Sequence, residues 1–181
     1  GERVWMLRQL RPENGDYSVA ISLQYADPAG TYTMMLYGGN IVDGRVNAYM
    51  VEGAWPLFIS GADPSGTVLS PATASEVIAV GGYNSKLTWQ SPVGISDPLA
   101  GAGFDLFGSD WLSARGPSRD PAVTGQKPEL VAPGLYVASA LSSQAGYPDQ
   151  YKTLDALHVV ASGTSFAAPH VAGAAALMLT A

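Results

Sequence analysis

Cysteine is absent from the 181 residues, which removes a disulfide scaffold, a thiolate zinc site and a cysteine nucleophile together. Charge is scarce: Asp, Glu, Lys and Arg make up 13% of the chain. Nine basic residues against fifteen acidic ones leave a net charge of -6, so no phosphate backbone or anionic membrane surface is attracted globally. Nucleic acid is not an expected partner. Long hydrophobic runs are missing as well. The longest is broken by Thr164, Ser165, Pro169 and His170, and Ala172–Leu179 alone is too short to span a bilayer. No charged-then-apolar leader opens the chain, which starts at Gly1 and so reads as a processed product or a piece of a longer protein. Histidine occurs twice, at His158 and His170, so acid–base chemistry has few candidates within the chain.

What is present fits a compact protein: 47% of the residues are hydrophobic, enough for a sizeable core. Twenty-one glycines and thirteen prolines without a short period predict many turns and few long helices. Up to about residue 53 the pattern is β. Val4–Leu7, Tyr17–Leu23, Gly30–Tyr37 and Arg45–Val51 are rich in β-branched and aromatic residues, with turn residues such as Asn14-Gly15-Asp16 and Asp43-Gly44 between them. Together they predict part of an antiparallel sandwich over residues 1–60. Trp55-Pro56, Asp63-Pro64 and Ser65-Gly66 then mark a loop. In residues 61–181 the character changes to α/β. Glu76–Gly82 and Glu129–Gly134 are short continuous apolar runs ended by glycine, as in strands of a parallel sheet buried on both faces. Residues 84–127 read mostly as turns, and 161–181 as the one strong helix, apolar all round and therefore expected to be buried.

The stretch Ser162–Gly173 is where the sequence stops being generic. A nucleophilic serine has to present its oxygen at a bend among small neighbours, and a helix N-terminus offers unpaired N–H groups to a developing oxyanion. Gly163 supplies clearance, Thr164 is a candidate cap, and Ser165 falls in the first turn. An Ala-rich buried helix with an ordinary Ser/Thr cap explains the same pattern without any chemistry.

Gly163-Thr164-Ser165 followed by Ala167 and Pro169-His170-Val171-Ala172-Gly173 resembles the serine motif of the subtilisin-like serine peptidases. Three further blocks resemble that family in order: Thr67–Ala72 leading into Val77–Gly81, Ser113–Pro117, and Lys127–Gly134. The likeness covers roughly residues 67–181. Gly30–Thr33, Leu36–Gly38 and Asp43–Tyr49 resemble the jelly-roll insert of the Csp-type peptidases of clostridial spore germination and their relatives. The implied fold is α/β: part of a subtilisin-like parallel-sheet domain with an antiparallel, jelly-roll-like β-sandwich insert at its amino-terminal side.

What the resemblance implies for the site is specific. Ser165 is the nucleophile, Gly163 and Thr164 support it and the oxyanion, and Leu69, Ser70 and Pro71 belong to a wall of the substrate pocket. A bulky Leu69 there implies small or medium apolar side chains at the substrate's P1 position. The family's Asp, His and oxyanion Asn are expected on segments preceding those seen here, so the rest of the same polypeptide is the expected partner and this chain by itself is expected to be inactive. His170 lies five residues after Ser165, about 140° around a helix, and belongs to the serine motif as a structural residue. His158 reads as a packing or surface histidine. Asn40 and Asn84 stand in other contexts than an oxyanion Asn. No cofactor is implied. Calcium is compatible with the scattered Asp97, Asp105, Asp110 and Asp120, but no spacing encodes a metal site.

Three functions follow. One is a serine endopeptidase of secreted or cell-envelope bacterial type acting on peptide or protein substrates. The second is a non-catalytic scaffold or signalling relative. The third is a ligand-binding β module whose Trp5, Tyr17, Tyr25, Tyr32, Tyr37 and Tyr49 form a platform, although aromatics at alternating strand spacing ordinarily build a core.

Overall fold

A computed structural model describes residues 3–10, 17–24, 30–40, 44, 46, 48, 63–108, 112–120 and 122–181. The chain divides into two compact units, Gly1–Ile59 and Ser60–Ala181.

In the first unit, β1 (Arg3–Leu10) and β2 (Tyr17–Gln24) pair antiparallel in unbroken register from Arg3 opposite Gln24 to Leu10 opposite Tyr17. The β-branched and aromatic content supports the pairing, but the described side chains, residues 4–10 and 19–22, do not sort into a core face and a wet face. Val4, Trp5, Met6 and Leu7 are all more than half exposed. Gly30–Tyr37 is not a strand, which corrects the expectation from composition. β-propensity holds an extended segment only where a neighbour accepts its ladder bonds, and no strand pairs with this one among the described residues. Tyr32 and Tyr37 are exposed rather than core. Of the expected strand over Arg45–Val51, only Val46 and Ala48 are described, neither in a strand. Its other positions, and Trp55-Pro56, lie outside the described residues.

The second unit begins with turns over residues 65–77 and continues into β3 (Val80–Asn84), a short hairpin of β4 (Trp89–Ser91) and β5 (Gly94–Ser96), then β6 (Leu130–Leu135), β7 (Val137–Ala140), a single 3₁₀ turn at Asp149–Tyr151, β8 (His158–Ala161) and α1 (Thr164–Leu179). β3 and β6 are parallel, Val80 opposite Leu130 and Gly82 opposite Ala132. That agrees with the two apolar runs as parallel strands but corrects their expected burial on both faces, because Leu130 and Val131 on β6 are exposed. β3 starts four residues later than the run suggests, because Val77 N–H closes a turn onto Ala74 O and the Ala79 amide bonds a side chain instead of a strand. β4–β5 and β7–β8 are antiparallel pairs.

The core gathers at the junction of β6 and β7. Trp89, Leu135, Tyr136 and Val160 are buried together, with Leu87 and Leu99 against them. Trp89 and Tyr136 meet with ring centroids 4.8 Å apart and planes inclined by 58°, a tilted aromatic contact that adds about 0.5–1.5 kcal/mol to the burial itself. α1 packs on β6 and β3, but Ala167 is its one buried residue. Leu177, Met178 and Leu179 are 73–89% exposed. The expectation of a buried helix is therefore corrected: small apolar residues all round allow burial from every side, and the described residues supply neighbours on one side only.

Candidate active site

Ser165 is held by a strand–turn–helix unit. β8 runs beside β7 from Ala140 opposite His158 to Val137 opposite Ala161, and the chain then turns at Ser162-Gly163. Two bonds fix that turn to the end of β6. Gly163 N–H donates to Gly134 O at 2.8 Å, and Tyr136 N–H donates to Ser162 Oγ at 3.1 Å. Tyr136 itself has φ of 53°, a left-handed conformation unusual for a bulky residue, held here by burial of its ring.

Gly163 is the N-cap of α1, with φ of 138° and ψ of 159° and no side-chain capping bond. That backbone region is essentially closed to residues with a Cβ. Thr164 is the first helical residue, so its expected capping role is corrected: the cap position falls on the glycine whose conformation makes the turn. Ser165 is the second helical residue and is exposed. The first-turn amides of a helix have no acceptor four residues back; here Phe166 N–H donates to Gly163 O at 3.0 Å, and the first turn carries no acidic side chain. Positive potential from the helix dipole is therefore not neutralised locally. Pro169 lacks the amide that would bond Ser165 C=O four residues back, which loosens the ladder behind the serine.

Neither histidine serves Ser165. His170 Nδ1 lies 2.7 Å from Phe166 O on its own helix, so that nitrogen carries the proton. His158 Nδ1 is 2.9 Å from Asp155 Oδ2, an Asp–His pair that sequence reading missed. It stands at the start of β8, about 10 Å of extended strand before the Ser162 turn. Asp155 also accepts hydrogen bonds from the Thr153 hydroxyl and from Leu157 N–H at 2.9 Å. These bonds, the Thr153 hydroxyl foremost, hold its carboxyl down at about 2. The signal was an Asx-turn pattern, Thr153-Leu154-Asp155-Ala156-Leu157.

Leu69, Ser70 and Pro71 are exposed on the run of turns that leads into β3. Leu69 O accepts from Ala72 N–H and Pro71 O from Ala74 N–H, both at 3.0 Å. An open groove of about 800 Å³ lies along Ser113–Pro117 and Lys127–Val131, and a smaller cavity of about 110 Å³ lies between Asp97, Phe104 and Tyr136. Neither Ser165 nor Leu69–Pro71 lines either of them. The Tyr136 hydroxyl, pushed up to about 12 by burial and by Asp97 and Tyr151, is not an acid–base group near neutrality. Asn84 is buried, its amide N–H donating to Asp105 O at 2.9 Å. Among the described residues no three His, Asp or Glu side chains lie together as metal ligands.

A family model described as Peptidase_S8, the subtilase family, matches residues 14–181. Subtilisin-like protease SBT4.13 of Arabidopsis thaliana is 46% identical over 69 residues, 38% of this chain and 9% of that protein. Subtilisin-like protease SBT4.15 of the same plant is 47% identical over 69 residues, 36% of this chain and 8% of that protein. Serine protease AprX of Bacillus subtilis (strain 168) is 34% identical over 141 residues, 71% of this chain. The chain matches 28% of the length of the bacterial relative and less than a tenth of either plant relative. No solved structure matches. The family match runs through the parallel strands, the Ser162-Gly163 turn and the whole of α1, and the chain belongs to the subtilase family.

Proposed function

We propose that this chain is the nucleophile-bearing part of a subtilisin-like serine endopeptidase. The observation that carries the reading is the placement of Ser165: exposed, second in a helix, just after a Gly163 backbone bend that only glycine adopts without strain. Its Oγ attacks the scissile carbonyl carbon while a histidine from another segment of the same polypeptide takes the proton, oriented by an aspartate from that same part. The tetrahedral oxyanion is stabilised by the helix-start amides, by the Thr164 hydroxyl, and by an Asn expected on the same missing segments. Collapse expels the amine, which receives the proton from the histidine, and leaves the acyl group on Ser165. Water then attacks the ester by the same proton route and frees the acid and Ser165.

Leu69, Ser70 and Pro71 form the pocket wall in this reading, and Leu69 favours small or medium apolar P1 side chains. The amino-terminal unit is read as an inserted jelly-roll-like β domain. The β1–β2 pair supports that reading and the absence of a strand at Gly30–Tyr37 weighs against it. A secreted or cell-envelope location is part of the same proposal; no helix among the described residues is long and apolar enough to cross a membrane. No cofactor takes part in this scheme. The test is hydrolysis of a peptide library by the polypeptide that carries this chain together with its Asp and His segments. Ser165→Ala is expected to lower turnover by about four to six orders of magnitude, with Ala, Val or Leu preferred at P1 in the unaltered protein. Turnover that survives Ser165→Ala contradicts the role of Ser165, and a profile dominated by Arg, Lys or Phe contradicts the pocket.

A further inference from the structure

Lys127 is the most deeply buried charge among the described residues, with 2% of its side chain exposed. An ammonium removed from water has to be paired and fully hydrogen-bonded, and it has three N–H bonds to place. All three are placed. Nζ donates to Ala74 O at 2.8 Å and to Val77 O, and pairs with Glu129 Oε1 at 2.6 Å. The other oxygen of the same carboxylate accepts Ala79 N–H at 2.7 Å, and Glu129 N–H donates to Ala79 O at 3.1 Å. Charge-assisted bonds of this kind are the stronger ones. They converge on Ala74–Ala79, which has no strand ladder to hold it.

The other end of the same segment is fastened separately. Arg119 Nε donates to Gly66 O at 2.8 Å and its terminal nitrogen to Ser65 O at 3.0 Å. Thr67 N–H donates to Arg115 O and Arg115 N–H to Thr67 Oγ1, both at 2.8 Å. The two fasteners touch each other, because a Cβ on Gly116 would overlap the Lys127 carbonyl oxygen. Between them Leu69, Ser70 and Pro71 stand exposed, held by neither.

We infer that Lys127, through Glu129 and the Ala74 and Val77 carbonyls, is a positioning residue that sets where the Leu69–Pro71 wall stands and thereby how sharply P1 side chains are discriminated. This role rests on the pocket reading above and adds the device that holds the pocket in place. A wall on an exposed run of turns discriminates only as well as it is fixed, and a displacement of about 1 Å is enough to erode selectivity.

The experiment uses the polypeptide with its Asp and His segments, comparing the unaltered protein with Lys127→Met and Lys127→Arg. Met keeps the length and removes all three donors. Arg keeps the charge but spreads its donors over a planar fork. Hydrogen exchange resolved by peptide is read first. Lys127→Met is expected to speed exchange of the Ala74, Val77 and Ala79 amides by about tenfold or more, with the Thr67 amide within about twofold of the original. Selectivity is read next, as the ratio of kcat/KM for a P1 Ala substrate to that for a P1 Phe substrate. That ratio is expected to fall about tenfold, mainly through KM, with Lys127→Arg between the two. Labelling of Ser165 by a small fluorophosphonate, which needs no P1 side chain, is expected to stay within about threefold. Unchanged exchange at Ala74–Ala79 overturns the inference, as does loosened exchange with unchanged selectivity. If the unaltered protein fails to label at Ser165, the peptidase reading falls, and the exchange pattern alone then decides whether Lys127 holds this segment.

Discussion

At the scale of single residues, the proposed site rests on the backbone of Gly163 as well as on the side chain of Ser165. Its φ of 138° and ψ of 159° lie where a Cβ costs on the order of 1–3 kcal/mol, although no neighbouring side chain crowds the position. Gly163→Ala is expected to lower stability by about that amount and to slow acylation at Ser165, with a melting curve and a labelling rate as the measurements. An undiminished rate with unchanged stability contradicts the turn as drawn. Asp155 makes a pH-dependent contribution of defined sign. Its carboxyl is held at about 2, below its ordinary 3.8, so the folded form favours the ionised state. That contribution is complete above the ordinary value and is lost as pH falls through about 2. Asp155→Asn is expected to flatten the acid limb of the stability curve between about pH 4 and about pH 2, read from unfolding midpoints at successive pH values. An acid limb identical in both proteins contradicts it.

At the scale of elements, legibility followed locality. α1 was readable because Gly163, the small apolar run and Pro169 all act within a few residues of Ser165. The parallel pair β3–β6 was readable as two apolar runs, but the start of β3 was not. Its boundary is set by the Glu129 carboxylate capturing Ala79 N–H and by Lys127 capturing two carbonyls, contacts made across about fifty positions of chain. The β4–β5 hairpin and β7 went unread for a related reason. Trp89–Ser91 and Val137–Ala140 are three and four residues long, too short for a period to declare itself. Gly30–Tyr37 erred in the opposite direction: its residues favour a strand, and no partner among the described ones completes it. Thr164 was misplaced by a single position, which separates a capping side chain from a helical one. Helix ends are the least determinate part of such a reading.

For the whole molecule, the relevant quantity is exposed apolar surface. Val4 to Leu7 on β1, Ile78 just before β3, Val131 on β6, and Leu177 to Leu179 on α1 are each at least half exposed, and large apolar exposure marks surfaces that bind other protein or aggregate. The 181-residue chain alone is therefore expected to unfold over a broad range and to bind a dye for apolar surface such as ANS, and the longer polypeptide to do neither. A sharp, cooperative transition with no dye binding by the chain alone contradicts this. The same surfaces agree with the proposal that the Asp and His segments pack against β3, β6 and α1.

The proposed peptidase activity requires Ser165 to be the nucleophile. The measurement is covalent labelling by a fluorophosphonate, with the modified residue mapped by mass spectrometry, on the longer polypeptide, on the 181-residue chain alone and on Ser165→Ala. Labelling of the longer polypeptide at Ser165, with little or none of the chain alone and none of the variant, is the predicted result. A folded, matured polypeptide that does not label, or that labels at another serine, contradicts the catalytic reading and leaves a subtilase fold in a non-catalytic role.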